Sequence, residues 1–174
     1  FRANNPVTRI EYNDNELYSL VTDPLGRRTK YDFDGLGRLV QLIQYQRVNG
    51  GYQPAAVTSL KYDAWGNIIA ITDPNGWAIG PEWKYTTRYE YDAMGRNSAI
   101  IFPDETETVS DNPRKIMEFN YETNVLTIID ENQNRSYEYQ DMQGRPIRVI
   151  QYNLGQDITT QFYYDGLGNR VATI

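Results

Sequence analysis

The sequence predicts an all-β fold, an array of β-hairpins laid side by side as an antiparallel meander. Three observations predict it. A short phrase, an aromatic residue followed by Asp and then by Gly three positions further on, recurs along the 174 residues. The segments around it alternate polar and apolar side chains with period two, the strand signature. No stretch carries a convincing helical period.

Four clear copies of the phrase are Phe33-Asp34-Gly35-Leu36-Gly37, Tyr62-Asp63-Ala64-Trp65-Gly66, Tyr91-Asp92-Ala93-Met94-Gly95 and Tyr164-Asp165-Gly166-Leu167-Gly168. A degenerate copy is Asp141-Met142-Gln143-Gly144, with Tyr139 one position early. Two more are read as lacking one turn residue, Tyr12-Asn13-Asp14-Asn15-Glu16-Leu17 and Tyr121-Glu122-Thr123-Asn124-Val125-Leu126. The aromatic positions 12, 33, 62, 91, 121, 139 and 164 lie 21, 29, 29, 30, 18 and 25 residues apart. An imperfect period in this range marks an array of supersecondary units.

Each unit reads in order as strand, tight turn, strand, second turn. In the first strand Arg88, Glu90 and Asp92 alternate with Tyr89 and Tyr91, and Met117, Phe119 and Tyr121 share a face. At the tight turn Asp bonds the backbone two residues on and Gly supplies the positive φ of a hairpin or bulge. Asp34, Gly37, Asp63, Gly66, Asp92, Gly95, Asp141, Gly144, Asp165 and Gly168 are therefore assigned to turn building. The residue after the glycine is Arg38, Asn67, Arg96, Arg145 or Asn169. Leu36, Trp65, Met94 and Leu167, apolar at the tips, are expected to fold back onto the neighbouring unit. The return strand follows, as in Ile68-Ile69-Ala70-Ile71 or Ile147-Arg148-Val149-Ile150. It ends in a second kind of turn, Asp23-Pro24-Leu25-Gly26 or Asp73-Pro74-Asn75-Gly76, in which proline fixes one corner. Phe102-Pro103-Asp104-Glu105 and Asp130-Glu131-Asn132-Gln133 read as worn versions.

The stretches Thr22 to Gln41 and Thr86 to Arg96 resemble YD repeats of the Rhs type. Such repeats occur in rearrangement-hotspot proteins, shell components of insecticidal toxin complexes, wall-associated bacterial proteins and teneurins. The resemblance implies a long antiparallel β-hairpin strip that coils into a spiral, solenoid-like wall within a large exported or surface protein. Residues 1–174 are expected to form a single array of this kind, as a segment of something longer. The chain ends carry a register of their own: Gly95 to Phe102 is seven residues, and Phe1 placed after Ile174 would stand seventh from Gly168.

Composition narrows the chemistry. The chain has no histidine and no cysteine, which removes imidazole- and thiol-based catalysis, thiolate metal sites and disulfides. A net charge of −6 and a pI near 4.7 argue against nucleic acid, which is bound through lysine and arginine on phosphates. No apolar run approaches the roughly 20 residues of a membrane-spanning helix. The 15 tyrosines suit half-buried strands, where the ring packs and the hydroxyl stays wet.

Few residues offer chemistry of another kind. The aspartates in step with the turn glycines are read as turn-formers rather than catalytic carboxylates or calcium ligands. Asp23-Pro24 and Asp73-Pro74 resemble the DPxG phrase of an aspartyl self-cleavage site found in some Rhs shells, but their register with the repeat assigns them to turns. Asp104, Glu105, Glu107 and Asp111 are read as a solvated loop rather than a cation site. Asn134-Arg135-Ser136 fits a glycosylation triplet. Two insertions, Asn49 to Pro54 and Trp77 to Trp83, place Tyr52, Trp77 and Trp83 where rings can stack on sugars or anchor a protein. The alternative for the two tryptophans is that they plug the end of a hairpin layer. The expected function is non-enzymatic: an extracellular wall or fibre of stacked hairpins, with neighbouring repeats or further copies as partners and no cofactor. The alternatives are a shell around a toxin cargo domain and a module that binds glycans or a cell surface.

Overall fold

The computed structural model describes residues 6–153 and 155–174. Its strands are β1 (Arg9–Asn13), β2 (Tyr18–Thr22), β3 (Arg28–Phe33), β4 (Leu39–Val48), β5 (Gly51–Tyr62), β6 (Ile68–Thr72) and β7 (Thr86–Tyr91). They continue as β8 (Asn97–Ile101), β9 (Arg114–Asn120), β10 (Val125–Ile129), β11 (Arg135–Gln140), β12 (Pro146–Asn153), β13 (Gln156–Tyr164) and β14 (Arg170–Thr173). The sheet order is the chain order, β1 through β14. The fold is all-β and antiparallel, a meander of hairpins. Phe1, on which the end-to-end register rests, lies outside the described residues.

The chain divides into two compact units, Phe1–Arg88 with Pro103–Val109, and Tyr89–Phe102 with Ser110–Ile174. In the first, the longest hairpin joins β4 to β5 through Asn49 and Gly50, both with positive φ (49° and 83°) and flanked by the pair Val48 and Gly51. A two-residue turn of that hand matches the twist of the strands it connects. Asn49 to Pro54 is therefore no insertion: it is the tip of this hairpin and the start of β5. Pro54 has no N–H to give the ladder, and the register shifts beside it, between Gln44 and Tyr45, as a proline within a sheet requires.

Between β6 and β7 the sequence reading needs correction. Asp73-Pro74-Asn75-Gly76 does not close a hairpin but opens a helix, α1 (Pro74–Ala78), followed by a 3₁₀ turn at Glu82–Tyr85. The Asp73 carboxylate caps it, accepting from the N–H groups of Asn75 (2.7 Å) and Gly76 (3.4 Å), with proline in the first turn. Gly76 is buried, and a Cβ on it would stand 2.5 Å from Thr72 Cγ2. Beneath, the Thr86 hydroxyl donates to the Glu82 carbonyl, and the Thr72 hydroxyl lies 2.7 Å from Thr86 Oγ1. α1 packs on β5, whose Val57 is among the few buried apolar side chains.

In the second unit the buried apolar residues are Ala99 and Ile101 on β8 and Ile129 on β10. The β8–β9 connection closes through the Phe102 N–H on Pro113 O (2.9 Å), with the Asn112 amide donating to Phe102 O. In neither unit is any large described side chain sealed below 2% exposure. Cohesion lies in strand pairing and cross-strand side-chain contacts, each pair contributing about 0.2–1 kcal/mol.

Candidate functional site

The repeated feature is the turn. In Asp34-Gly35-Leu36-Gly37-Arg38, the Asp34 N–H donates to Arg38 O and the Gly37 N–H to Asp34 O, both at 2.9 Å. Asp34 Oδ1 accepts from the Leu36 N–H (2.9 Å) and the Arg38 N–H (3.0 Å). One carboxylate oxygen thus takes up two amides, and Gly37 closes the loop at φ 76°. The same bonds recur at Asp63, Asp92, Asp141 and Asp165. They recur also at Asp23 and Asp130, with Gln133 (φ 66°) in the place of glycine. At Asp23 and Asp130 the second kind of turn read from the sequence therefore has the geometry of the first; Pro24 merely occupies the corner that Gly35 or Ala64 occupies elsewhere.

The asparagine turns correct a second expectation. Asn13 and Asn120 are the capping residues, each accepting two backbone amides through Oδ1. Their loops hold one residue more than the aspartate turns, and end on Leu17 and Asn124 with φ 53° and 52°. The aromatic equivalent to Tyr12 is thus Phe119, not Tyr121.

These turns hold their carboxylates charged. The Arg38 N–H is foremost in keeping Asp34 below its ordinary pKa, as the Arg27 N–H is for Asp23. At Asp92 and Asp141 the first cause is the side chain of Arg96 or Arg145; at Asp130 and Asp165 it is the amide of Asn134 or Asn169. Around Asp63 desolvation is the largest single effect and pushes upward, but the Asn67 side chain and the N–H groups of Asn67, Trp65 and Gly66 together outweigh it.

The residue after the glycine is what joins one turn to the next. Arg38 pairs with Asp34 at 2.7 Å, stacks on the Tyr62 ring (4.7 Å from Cζ to centroid) and donates to Asp63 O. Tyr62 returns a hydrogen bond from its hydroxyl to Leu39 O (2.6 Å). In the second unit Arg96 lies 4.5 Å over Phe119, and Arg145 lies 4.5 Å over Tyr164, whose hydroxyl donates to Pro146 O. Each arginine is neutralised by its own turn's aspartate and spends its face on the aromatic of the following turn. Such stacking contributes about 0.5–1 kcal/mol at exposed sites. The recurrence of Arg after the glycine, at Arg38, Arg96 and Arg145, was the available signal; its partner lies too far along the chain to be read from it.

The apolar tips do not fold back. Trp65 is 89% exposed and Leu167 90%, with Leu36 and Met94 similarly bare. The third position of an aspartate turn points away from its own sheet. Tyr52 is half-buried: its hydroxyl donates to Gly26 O (2.8 Å) and its ring lies 4.0 Å beneath the Arg28 guanidinium. Trp77 stands exposed on α1, whereas Trp83 lines a groove with Lys61, Ala70, Glu82 and Arg88. Lys84 pairs with Glu105, and Asp104 accepts from the Thr106 N–H. Among the described residues no three Asp or Glu side chains gather as a cation site.

The RHS Repeat family model matches residues 19–45 and 62–104. Over those two stretches the sequence is similar to the RHS repeat. The first match runs from β2 into β4 through the Asp23 and Asp34 turns, and the second from the end of β5 past β8 through Asp63, α1 and Asp92. The fold is shared with the crystal structure of TcdB2-TccC3-Cdc42, at TM-score 0.58 and 18% identity over 96% of this chain and 9% of that one. The crystal structure of TcdB2-TccC3 gives 0.57 and 19%, over 96% and 10%. A structure of the Photorhabdus luminescens Tc holotoxin pore gives 0.61 and 19%, over 97% and 10%. The chain thus spans about a tenth of the chains it resembles. A comparison with curated proteins found no match.

Proposed function

We propose that this chain is a wall segment of a large extracellular RHS-repeat shell that encloses a toxin domain. The observation that carries the reading is the fold held in common over 96% of this chain with the TcdB2-TccC3 structures, of whose matched chains it spans 9–10%. The local chemistry agrees with a wall. The turn aspartates are engaged by backbone amides and by arginine or asparagine, so they serve geometry rather than catalysis. Successive turns are linked by arginine–aromatic stacking, which lets units too small to stand alone support one another. The partners under this reading are neighbouring repeats and the enclosed domain, and the strip continues and coils into a closed wall. Electron microscopy of the full-length parent protein tests it. Closed hollow particles, with the enclosed domain resisting protease until the particles are opened, are expected. Continuous filaments, or a cargo domain digested at the same rate in intact and opened particles, would overturn it.

A further inference from the structure

Four pairs along the chain place glycine after Asn or Asp: Asn49-Gly50, Asn75-Gly76, Asp34-Gly35 and Asp165-Gly166. In such a pair the glycine backbone nitrogen can attack the side-chain carbonyl carbon before it, since glycine carries no Cβ to obstruct the approach. Sequence alone ranks the two Asn-Gly pairs as equals; the fold does not. Asn75 is exposed, but the nitrogen that would attack it is not. Gly76 is buried, its N–H donates to Asp73 O (3.1 Å) and Asp73 Oδ1 (3.4 Å), and Thr72 and Tyr85 crowd it. At Asp34 and Asp165 the obstacle is electronic. Oδ1 accepts two backbone N–H groups and Oδ2 is held by Arg38 Nε (2.7 Å) or Asn169 Nδ2 (3.0 Å), which keeps both carboxylates ionised and without a leaving group.

Asn49-Gly50 has neither protection. Both residues are exposed, and open space surrounds the position a Gly50 Cβ would take. They turn a ribbon that overshoots its sheet. The outermost β3–β4 pair is Arg28 with Tyr45, and the outermost β5–β6 pair is Ser59 with Thr72. Among the described strand pairs, Gln46, Arg47 and Val48 therefore meet only Gln53, Tyr52 and Gly51. The Tyr52 hydroxyl ties the ribbon to Gly26 O, and the turn lies beyond that tie. A two-stranded ribbon is marginal by itself, and segments with few buried contacts open at little cost in free energy. The closed turn fixes the torsions on both sides of the reacting groups, so reaction follows its opening.

We propose that Asn49 is a site of spontaneous deamidation and isomerisation, selected by the fold over Asn75, Asp34 and Asp165. The Gly50 N–H yields its proton to solvent, the nitrogen bonds to Asn49 Cγ, the Cγ–Nδ2 bond breaks and ammonia leaves. Water then opens the cyclic imide at either carbonyl. Cleavage at Cγ gives aspartate; cleavage at the main-chain carbonyl gives isoaspartate, in which the chain runs through the former side chain. Both products add one negative charge at the tip. Aspartate keeps the hairpin, because Asp-Gly suits the same positive-φ turn. Isoaspartate puts an extra methylene into the backbone of a two-residue turn, so the Val48–Gly51 and Arg47–Tyr52 pairs open. The ribbon thus carries a mark that accumulates with time since synthesis.

The test is peptide mapping by mass spectrometry of the 174-residue chain, incubated folded and in urea in mildly alkaline buffer at physiological temperature. Electron-transfer fragmentation separates aspartate from isoaspartate. In the folded chain Asn49 should convert at least about tenfold faster than Asn75, with Asp34 and Asp165 unchanged. In urea Asn49 and Asn75 should convert at similar rates, which assigns the difference to the fold. Asn49→Gly, which leaves a Gly-Gly turn, should abolish the acidic charge variant that ageing produces. Trypsin should cut the isoaspartyl fraction after Arg47 faster than the fresh chain. Conversion of Asn75 keeping pace with Asn49 in the folded chain, an intact Asn49 under conditions that convert it in urea, or an acidic variant that persists in Asn49→Gly would each overturn the proposal. Equal cutting of aged and fresh chains would overturn the opening of the ribbon.

Discussion

At the scale of single residues, the turn aspartates set how the protein responds to acid. Their folded-state pKa values lie below the ordinary carboxylate value, near 4. A depressed folded pKa adds stability above the unfolded value, and that addition is lost as pH falls through the folded value. The chain has no histidine, the side chain that ordinarily titrates between about pH 5 and 8. Thermal midpoints should therefore be level from neutrality to about pH 5 and decline only as the carboxylate range is entered; a fall between pH 7 and 6 would contradict this. The glycines make a second prediction. Gly37 has φ 76° and nothing within 4 Å of where a Cβ would stand, so Gly37→Ala should cost about 1–2 kcal/mol from conformation alone. Asparagine there should cost less, both read as shifts in a urea midpoint. These turns were legible in the sequence because their chemistry is local: the Asp Oδ1 reaches an N–H two residues away. The exposure of Leu36 and Trp65 was not legible, because nothing in a turn phrase says which way its tip points.

Elements are held by contacts that sequence shows less well. Gly76 has no positive φ to explain it; its Cβ would meet Thr72 Cγ2 at 2.5 Å and Tyr85 Cβ at 3.1 Å. Gly76→Ala should push α1 off the sheet at a cost of about 1–3 kcal/mol. Amide exchange should accelerate across residues 74–86 while the Asp34 turn keeps its protection. The four residues from Asp73 to Gly76 match the Asp23 turn type for type except at one position, so local chemistry does not separate hairpin from helix; the length of chain before β7 does. A similar ambiguity hid the capping role of Asn120, which has Phe119 on one side and Tyr121 on the other. Joints between elements make a third prediction. A double-mutant cycle on Arg38→Met and Tyr62→Leu should give a coupling of about 0.5–1 kcal/mol. A cycle on Arg27→Met and Tyr62→Leu, using an arginine that pairs with Asp23 but stacks on no ring among the described contacts, should give none.

For the whole molecule, the strand order among the described residues pairs β1 with β2 alone and β14 with β13 alone. Unpaired strand edges template further pairing, so sedimentation velocity of the isolated chain should show association that grows with concentration; a single monomeric species throughout would contradict this. Strand succession was readable from alternation and turn phrases, since both are properties of neighbouring residues. The arginine joint was not, since Arg38 meets a ring 24 positions away. That joint has a direction: arginine is handed forward along the chain and the ring receives it from behind. Half a period copied or lost leaves an arginine without a ring, or a ring without an arginine. A whole period copied in register leaves every joint complete. Genes for such arrays should therefore grow and shrink in full-repeat steps, with breakpoints at equivalent positions of the phrase, and length can drift while the wall's local construction stays the same.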